Sequence, residues 1–281
     1  MIKKYRKEII FFYACCILSL IVGTFFDLKL DIKLNNPTDT FSVWFYNTGE
    51  IPARLVCPIA GAVICFLCEK KITKIAGALI CLGGSVYLGI HIAKYFFVDE
   101  NKMIFGILYG LGVGIIILTV GQYIKIPGVA KKPLIAFAFA GIAVMFAEIS
   151  IVEFAKYTWA RPRFRYLLQL GSYDRFTPWY RPLGFNFDEG NNVKSFPSGH
   201  SAGGAVSYLA MLLPFCTEKL KDKTLLCFAI PFVYTSTLAY TRMVMGAHFL
   251  TDVTVGGMIT FTLIVIATAI LDKKHYALKE H

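Results

Sequence analysis

Apolar runs recur along the chain with only short polar stretches between them: Ile9 to Phe26, Ile51 to Cys68, Ile75 to Val98, Met103 to Ile124, Pro133 to Phe154, Ser201 to Cys216, Thr224 to Tyr240 and Val253 to Leu271. A bilayer core of ~30 Å takes about 20 residues of helix, so these runs predict eight membrane-crossing helices with ends that blur by a turn. The expected fold is therefore all-α, a polytopic transmembrane helix bundle of about eight helices. It forms one membrane domain over 1–281, with four leading helices in 1–132 and four more in 133–271. One stretch departs from this rhythm. From Lys156 to Gly199 the chain is polar and rich in aromatics, including Tyr173, Phe176, Trp179 and Tyr180. Structured loops of that length usually carry function.

Composition supports the membrane reading. Of 281 residues 56% are hydrophobic and 17% charged, and the mean hydropathy is +0.59, too apolar for an ordinary soluble domain. MIKKYRKE is a basic start, yet no small-residue cleavage pattern follows it, so the first run is expected to be retained as a helix. All eight cysteines fall in or beside the apolar runs, where they act as small apolar residues rather than as disulfide or zinc partners.

A formal net charge of +11 raises the question of nucleic acid, and the placement of that charge answers it. Sixteen of the 29 Lys and Arg sit in alternate loops and at both ends: Lys3 to Lys7, Lys70 to Lys74, Lys125 to Lys132, Lys219 to Lys223 and Lys273 to Lys279. This is the positive-inside pattern, and it predicts cytoplasmic N- and C-termini with no nucleic-acid partner. Eight of the remaining cations lie between Lys156 and Lys194 or at Arg242, which leaves five for the other outer segments. The outer segment Asp27 to Glu50 carries Phe41, Trp44, Phe45 and Tyr46, read as an interfacial belt or as a grip on substrate.

Three clusters carry candidate chemistry. Lys156, Arg161 and Arg163 follow the fifth run, and alone would also suit a snorkelling interfacial belt. Pro197-Ser198-Gly199-His200 opens the sixth, and alone would also suit a helix cap. Arg242, His248 and Asp252 lie between the last two runs, with the histidine and the carboxylate four apart, a spacing that on a helix shares one face. That carboxylate would then fix the histidine's tautomer and free its other nitrogen as a nucleophile. Topology brings all three clusters to one surface. Guanidinium forks and the amides of Ser198 and Gly199 at a helix start suit a phosphoryl group. No carboxylate cluster suggests magnesium, so metal-independent, cofactor-free chemistry is expected. Glu148 and Glu153, near Lys156, are read as partners of Lys156 or Arg54, or as participants in the chemistry.

Together the residues resemble the type 2 phosphatidic acid phosphatase superfamily, which also includes vanadium haloperoxidases and bacterial nonspecific acid phosphatases. The pattern of that family is lysine, six residues, Arg-Pro; then PSGH; then Ser-Arg, five residues, His, three residues, Asp. It is matched at Lys156 and Arg163, at Pro197 to His200, and at Arg242, His248 and Asp252. Phe164 stands where the family has proline. Arg163 is assigned by its spacing from Lys156, with Arg161, which precedes Pro162, as the competing choice. Thr241 replaces the serine and keeps a hydroxyl.

The resemblance implies a catalytic four-helix half over 133–271, like the helical core of the acid phosphatases and haloperoxidases, with an outer active-site loop over 156–199. It implies that His248 attacks phosphorus to form a phosphohistidine, that Asp252 orients it and that His200 protonates the leaving alkoxide. Lys156, Arg163 or Arg161, Ser198, Gly199 and Arg242 would bind the phosphate. The expected protein is a membrane lipid phosphate phosphatase of the bacterial cytoplasmic membrane, its site on the outer face. Phosphatidic acid, phosphatidylglycerol phosphate and undecaprenyl pyrophosphate are candidate substrates. A lipid phosphotransferase of the same superfamily and a non-catalytic transporter or scaffold are the competing readings. Head group and oligomeric state are not readable from the residues.

Overall fold

The computed structural model describes residues 1–97, 100–185, 188–274 and 276. Val98, at the end of the third expected run, and Lys279, in the last basic cluster, lie outside the described residues. Among the described residues all regular structure is helical. The long helices are α1 (Arg6–Leu34), α3 (Ile51–Leu67), α4 (Lys71–Phe96), α5 (Lys102–Gly121), α6 (Gly128–Trp159), α9 (Thr224–Val244) and α10 (Leu250–Lys273). Short helices α2 (Thr40–Thr48), α7 (Phe164–Gln169) and α8 (Gly199–Ala205) lie between them.

Seven helical stretches among the described residues are long and apolar enough to cross a membrane. The chain is an integral membrane protein. The remaining expected run, Ser201 to Cys216, is built differently. It leaves α8 for a ten-residue 3-10 helix, Val206–Phe215. A 3-10 helix rises ~2.0 Å per residue against ~1.5 Å for α, so this short run reaches about 28 Å, close to the bilayer core.

The core forms around α10, which packs against α1, α6, α8 and α9. Its Phe261 stacks on Phe12 of α1 with ring centroids 3.8 Å apart, and Tyr208 meets both rings edge-on. The amide of Ile2 and the amino group of Met1 both reach Asp272 near the end of α10, so the start of α1 and the end of α10 share one end of the bundle. In lipid, helix association depends on close packing rather than on hydrophobic transfer. The leading hairpin shows this at Gly61 and Gly77. A Cβ on Gly61 would stand 2.4 Å from the Cys81 amide nitrogen, and one on Gly77 2.5 Å from that of Cys65. The backbones of α3 and α4 therefore touch, and α3 in turn leans on α6 and α8.

Two helices outlast the hydrocarbon. The 29 residues of α1 and the 32 of α6 extend for about 43 Å and 48 Å at ~1.5 Å per residue. Their surplus turns carry Asp27 and Lys156 to the end of the bundle away from Asp272.

Candidate active site

At that end, α6 stops on Ala160, whose φ of 45° is left-handed. For an L-residue other than glycine this costs roughly 1–2 kcal/mol. The turn sends the next two arginines in different directions. Arg161 goes inward and is 1% exposed. Its Nη1 donates to Asp252 Oδ1 at 2.5 Å and to Thr251 Oγ1 at 2.9 Å, its Nη2 to Asp27 Oδ2 at 3.0 Å, and its Nε to the Thr177 carbonyl at 2.8 Å. The guanidinium also lies 4.3 Å from the Phe249 ring centre. With its donors spent on two buried carboxylates, Arg161 does not line the cavity beside it. This departs from the expectation that it could bind phosphate.

Arg163 faces that cavity. Its Nε and Nη2 donate to the carbonyls of Asn191 and Lys194 at 2.8 and 3.1 Å, and its Nη1 stands 3.5 Å from His248 Nε2. The cavity has a volume of about 390 Å³, and Lys156, Arg163, Gly199, His200, Arg242 and His248 all line it. Three sequence clusters separated by up to 92 positions thus meet on one surface. Closure between two of them depends on Gly256 of α10. A Cβ there would lie 2.3 Å from the Ser198 carbonyl oxygen, and the Ser198 amide donates to the Asp252 carbonyl at 3.0 Å. Ser198 itself is fully buried and its hydroxyl caps α8 by accepting from the Ser201 amide. Gly199 gives room to Lys156, whose Nζ would stand 2.9 Å from a Cβ at that position.

His248 does not stand on the helix that carries Asp252. Helix α10 starts at Leu250, so the shared-face rule does not apply across the pair. The His248 Nδ1 instead donates to the Ser195 carbonyl at 2.6 Å, and Asp252 Oδ2 stands 4.0 Å away. Asp252 spends its oxygens on Arg161, on the Ser195 hydroxyl at 2.5 Å and on the Phe249 amide at 2.9 Å. The expected direct hydrogen bond from His248 to Asp252 is thus corrected to one relayed through Ser195. A carbonyl only accepts, so Nδ1 carries the proton and Nε2 presents its lone pair to the cavity.

His200 stands opposite. Its ring stacks on Tyr46 at 5.3 Å and 18°, its Nδ1 lies 3.3 Å from Glu50 Oε1, and its buried Nε2 has no hydrogen-bond partner among the described residues. Arg242, 1% exposed and 4.7 Å from the Tyr46 ring centre, likewise leaves Nε and Nη1 without partners there. Burial, followed by the nearby Arg242, pushes the His200 pKa down to about 3. Burial, followed by Arg163, holds His248 well below the usual histidine range. Both shifts favour the neutral ring, in a cavity lined by buried cationic donors.

The family model of the PAP2 superfamily matches residues 134–276, just over half of the chain. The chain belongs to the PAP2 superfamily. No curated protein and no solved structure matches it. Members of the superfamily act on phosphate esters, in general as phosphatases, which supports a phosphatase-type enzyme here.

Several cavity residues lie outside the PAP2 match and outside the three sequence clusters. Tyr46, Glu50, Arg54, His91, Lys94 and Tyr95 come from α2 to α4. The sequence did mark three of them, since Tyr46 belongs to the outer aromatic segment and Arg54 and Lys94 are among the five outward cations left unexplained by the charge pattern. The aromatic segment divides between its two expected readings: Phe41 and Trp44 are 51% and 55% exposed, whereas Tyr46 turns into the site. Glu153 pairs with Lys156 at 2.5 Å as expected, while Arg54 pairs with Glu50 and Glu148 is buried.

Proposed function

We propose that the chain is a membrane lipid phosphate phosphatase that hydrolyses a phosphomonoester or pyrophosphate through a phosphohistidine on His248. The observation that carries this is the setting of His248, with Nδ1 fixed on Ser195 and Nε2 turned toward Arg163 in a cavity that also holds His200, Lys156 and Arg242. In the first half-reaction Nε2 bonds to phosphorus, the ester P–O bond breaks, and His200 Nε2 gives its proton to the leaving oxygen. A bound phosphate places up to two negative charges beside His200, which opposes the effect of burial and Arg242 and restores its affinity for a proton. In the second, water attacks phosphorus while His200 takes back a proton. The P–N bond breaks and inorganic phosphate leaves. Lys156, Arg163 and Arg242, with the Gly199 amide at the start of α8, neutralise the charge that builds on the equatorial oxygens. Asp252 acts through Ser195 and Arg161, and Ser198 holds the turn before α8.

The site stands above α1 and α6, at the end of the bundle opposite the chain's basic termini. Those termini follow the positive-inside bias. We therefore assign the termini to the cytoplasm and the site to the outer face of a bacterial cytoplasmic membrane, where a lipid tail stays in the bilayer while its head group enters. Phosphate release by the detergent-solubilised protein, with EDTA present, from phosphatidic acid, phosphatidylglycerol phosphate and undecaprenyl pyrophosphate tests the reading. Release from at least one is expected. No release from any, or transfer to an added alcohol in place of water, would contradict it.

A further inference from the structure

Among the described residues lining the cavity, Glu50 is the single acidic one. It sits between α2 and α3, outside the PAP2 match over 134–276. Its two oxygens point to different partners. Oε1 stands 3.3 Å from His200 Nδ1, and Oε2 accepts from Arg54 Nη2, four residues along α3. Arg54 in turn lies 4.6 Å from the Tyr87 ring centre, so the carboxylate is braced by a cation that is itself braced. The Tyr46 ring covers one face of the His200 imidazole. Glu50 and His200 keep only 19% and 18% side-chain exposure.

His200 faces a heavily cationic set. Burial, Arg242, Arg163 and Lys156 disfavour its protonation, and Glu50 favours it. Without an acceptor at Nδ1 the ring would be free to flip or to carry its proton on either nitrogen. We propose that Glu50 is the positioning residue of the acid histidine: its carboxylate accepts the Nδ1–H of His200 and so aims Nε2 at the leaving oxygen. The segment before the PAP2 core thereby completes the proton-transfer half of the site, while Ser195 fixes the nucleophile from within the core. The inference rests on the phosphatase reading, in which His200 is the acid. It extends that reading to a residue that contacts no substrate.

Leaving-group dependence tests it, because an aryl phosphate departs without a proton and an alkyl phosphate does not. Wild type, Glu50→Gln and His200→Ala are compared on 4-nitrophenyl phosphate and on a short-chain phosphatidic acid. Glu50→Gln is expected to lower the single-turnover rate of phosphohistidine formation from the lipid by ~10- to 100-fold, a part of what general acid catalysis contributes, and to leave that rate from the aryl ester within about threefold. Hydrolysis of the phosphohistidine is common to both substrates and is not read in this step. His200→Ala should discriminate the same way and more strongly. An equal loss on both substrates overturns the inference, since that marks a role in folding or binding. The ¹⁵N shifts of His200 in the unaltered protein decide independently of any variant. A proton on Nδ1 with a bare Nε2 supports the assignment, and an Nε2–H tautomer overturns it. If the wild type releases phosphate from neither ester, the phosphatase reading falls, and the tautomer still decides the Glu50–His200 relationship.

Discussion

His248 holds its proton on the Ser195 carbonyl, 2.6 Å from Nδ1, and Ser195 returns its own hydroxyl to Asp252. The His248 ring is therefore oriented by a backbone oxygen that a carboxylate keeps in place. Ser195→Ala removes the hydroxyl link and leaves a buried Asp252 oxygen with one donor fewer, a cost of about 1–3 kcal/mol. The expected outcome is folded protein with phosphoryl transfer slowed by roughly 10-fold or more, read in single-turnover kinetics. An unchanged rate would mean that Ser195 does not hold His248.

Arg161 and Arg163 should behave as opposites. Arg161→Ala strands Asp27 and Asp252 in the interior, and breaking a buried ion pair from one side costs about 3–5 kcal/mol. Loss of folded yield is expected first, measured as monodisperse protein after detergent extraction. Arg163→Lys keeps the charge, forfeits the fork and should fold. Its inhibition by inorganic phosphate should weaken by roughly 10- to 100-fold, from the ~1.5–3 kcal/mol typical of hydrogen bonds to charged groups. Equal folding and equal phosphate sensitivity in the two variants would contradict the assignment.

That division was invisible in the chain. Two arginines, each next to Pro162, compete for one role in the sequence. What separates them is a left-handed Ala160, and alanine carries no local signal for that conformation. The four-residue spacing of His248 and Asp252 misled for a related reason: it implies a shared helical face, but α10 begins only after His248. The apolar runs were legible because lipid permits few alternatives to helices of bilayer length. Hydropathy registers only that a segment is apolar, so it gave no sign that Ser201 to Cys216 is built largely as a 3-10 helix. That Gly199, His200, Arg242 and His248 share one cavity was legible, because each belongs to a short motif whose members lie close in sequence. Glu50 was not, since only tertiary packing of α2 and α3 brings it to His200, and Tyr46 was marked only as one of four aromatics with two readings open.

Gly256 is the contact point between the PSGH turn and α10. With a Cβ placed 2.3 Å from the Ser198 carbonyl, Gly256→Ala must displace backbone, and overpacking of this kind costs typically 1–3 kcal/mol. The variant should remain membrane-inserted and lose most of its turnover, because His200 moves with the turn. Wild-type kcat in Gly256→Ala would show that the turn tolerates the shift.

The buried histidines set an acid limit. Above pH 6.5, the ordinary histidine value, both rings are neutral folded or unfolded and add no pH dependence. As pH falls below 6.5 the unfolded chain takes up protons that the folded chain refuses, so stability declines toward the His200 value of about 3, where that ring titrates in place and its contribution levels off. Thermal unfolding in detergent should show Tm falling between pH 6.5 and 4, with a shallower fall in His200→Gln. Binding of inorganic phosphate near pH 6 should also draw protons into the wild type, seen as buffer-dependent binding heat, and fewer into His200→Gln. Buffer-independent heat in the wild type would contradict the neutral resting state of His200.

The covalent intermediate is the central claim, and its position can be read directly. Rapid mixing with a lipid phosphate, alkaline quench and tandem mass spectrometry should find a phosphoryl group on His248, bonded at Nε2 because Nδ1 is engaged by Ser195. His248→Ala should carry none and release no phosphate. Turnover by the wild type with the phosphoryl group on another residue, or near-wild-type phosphate release by His248→Ala, would contradict the account.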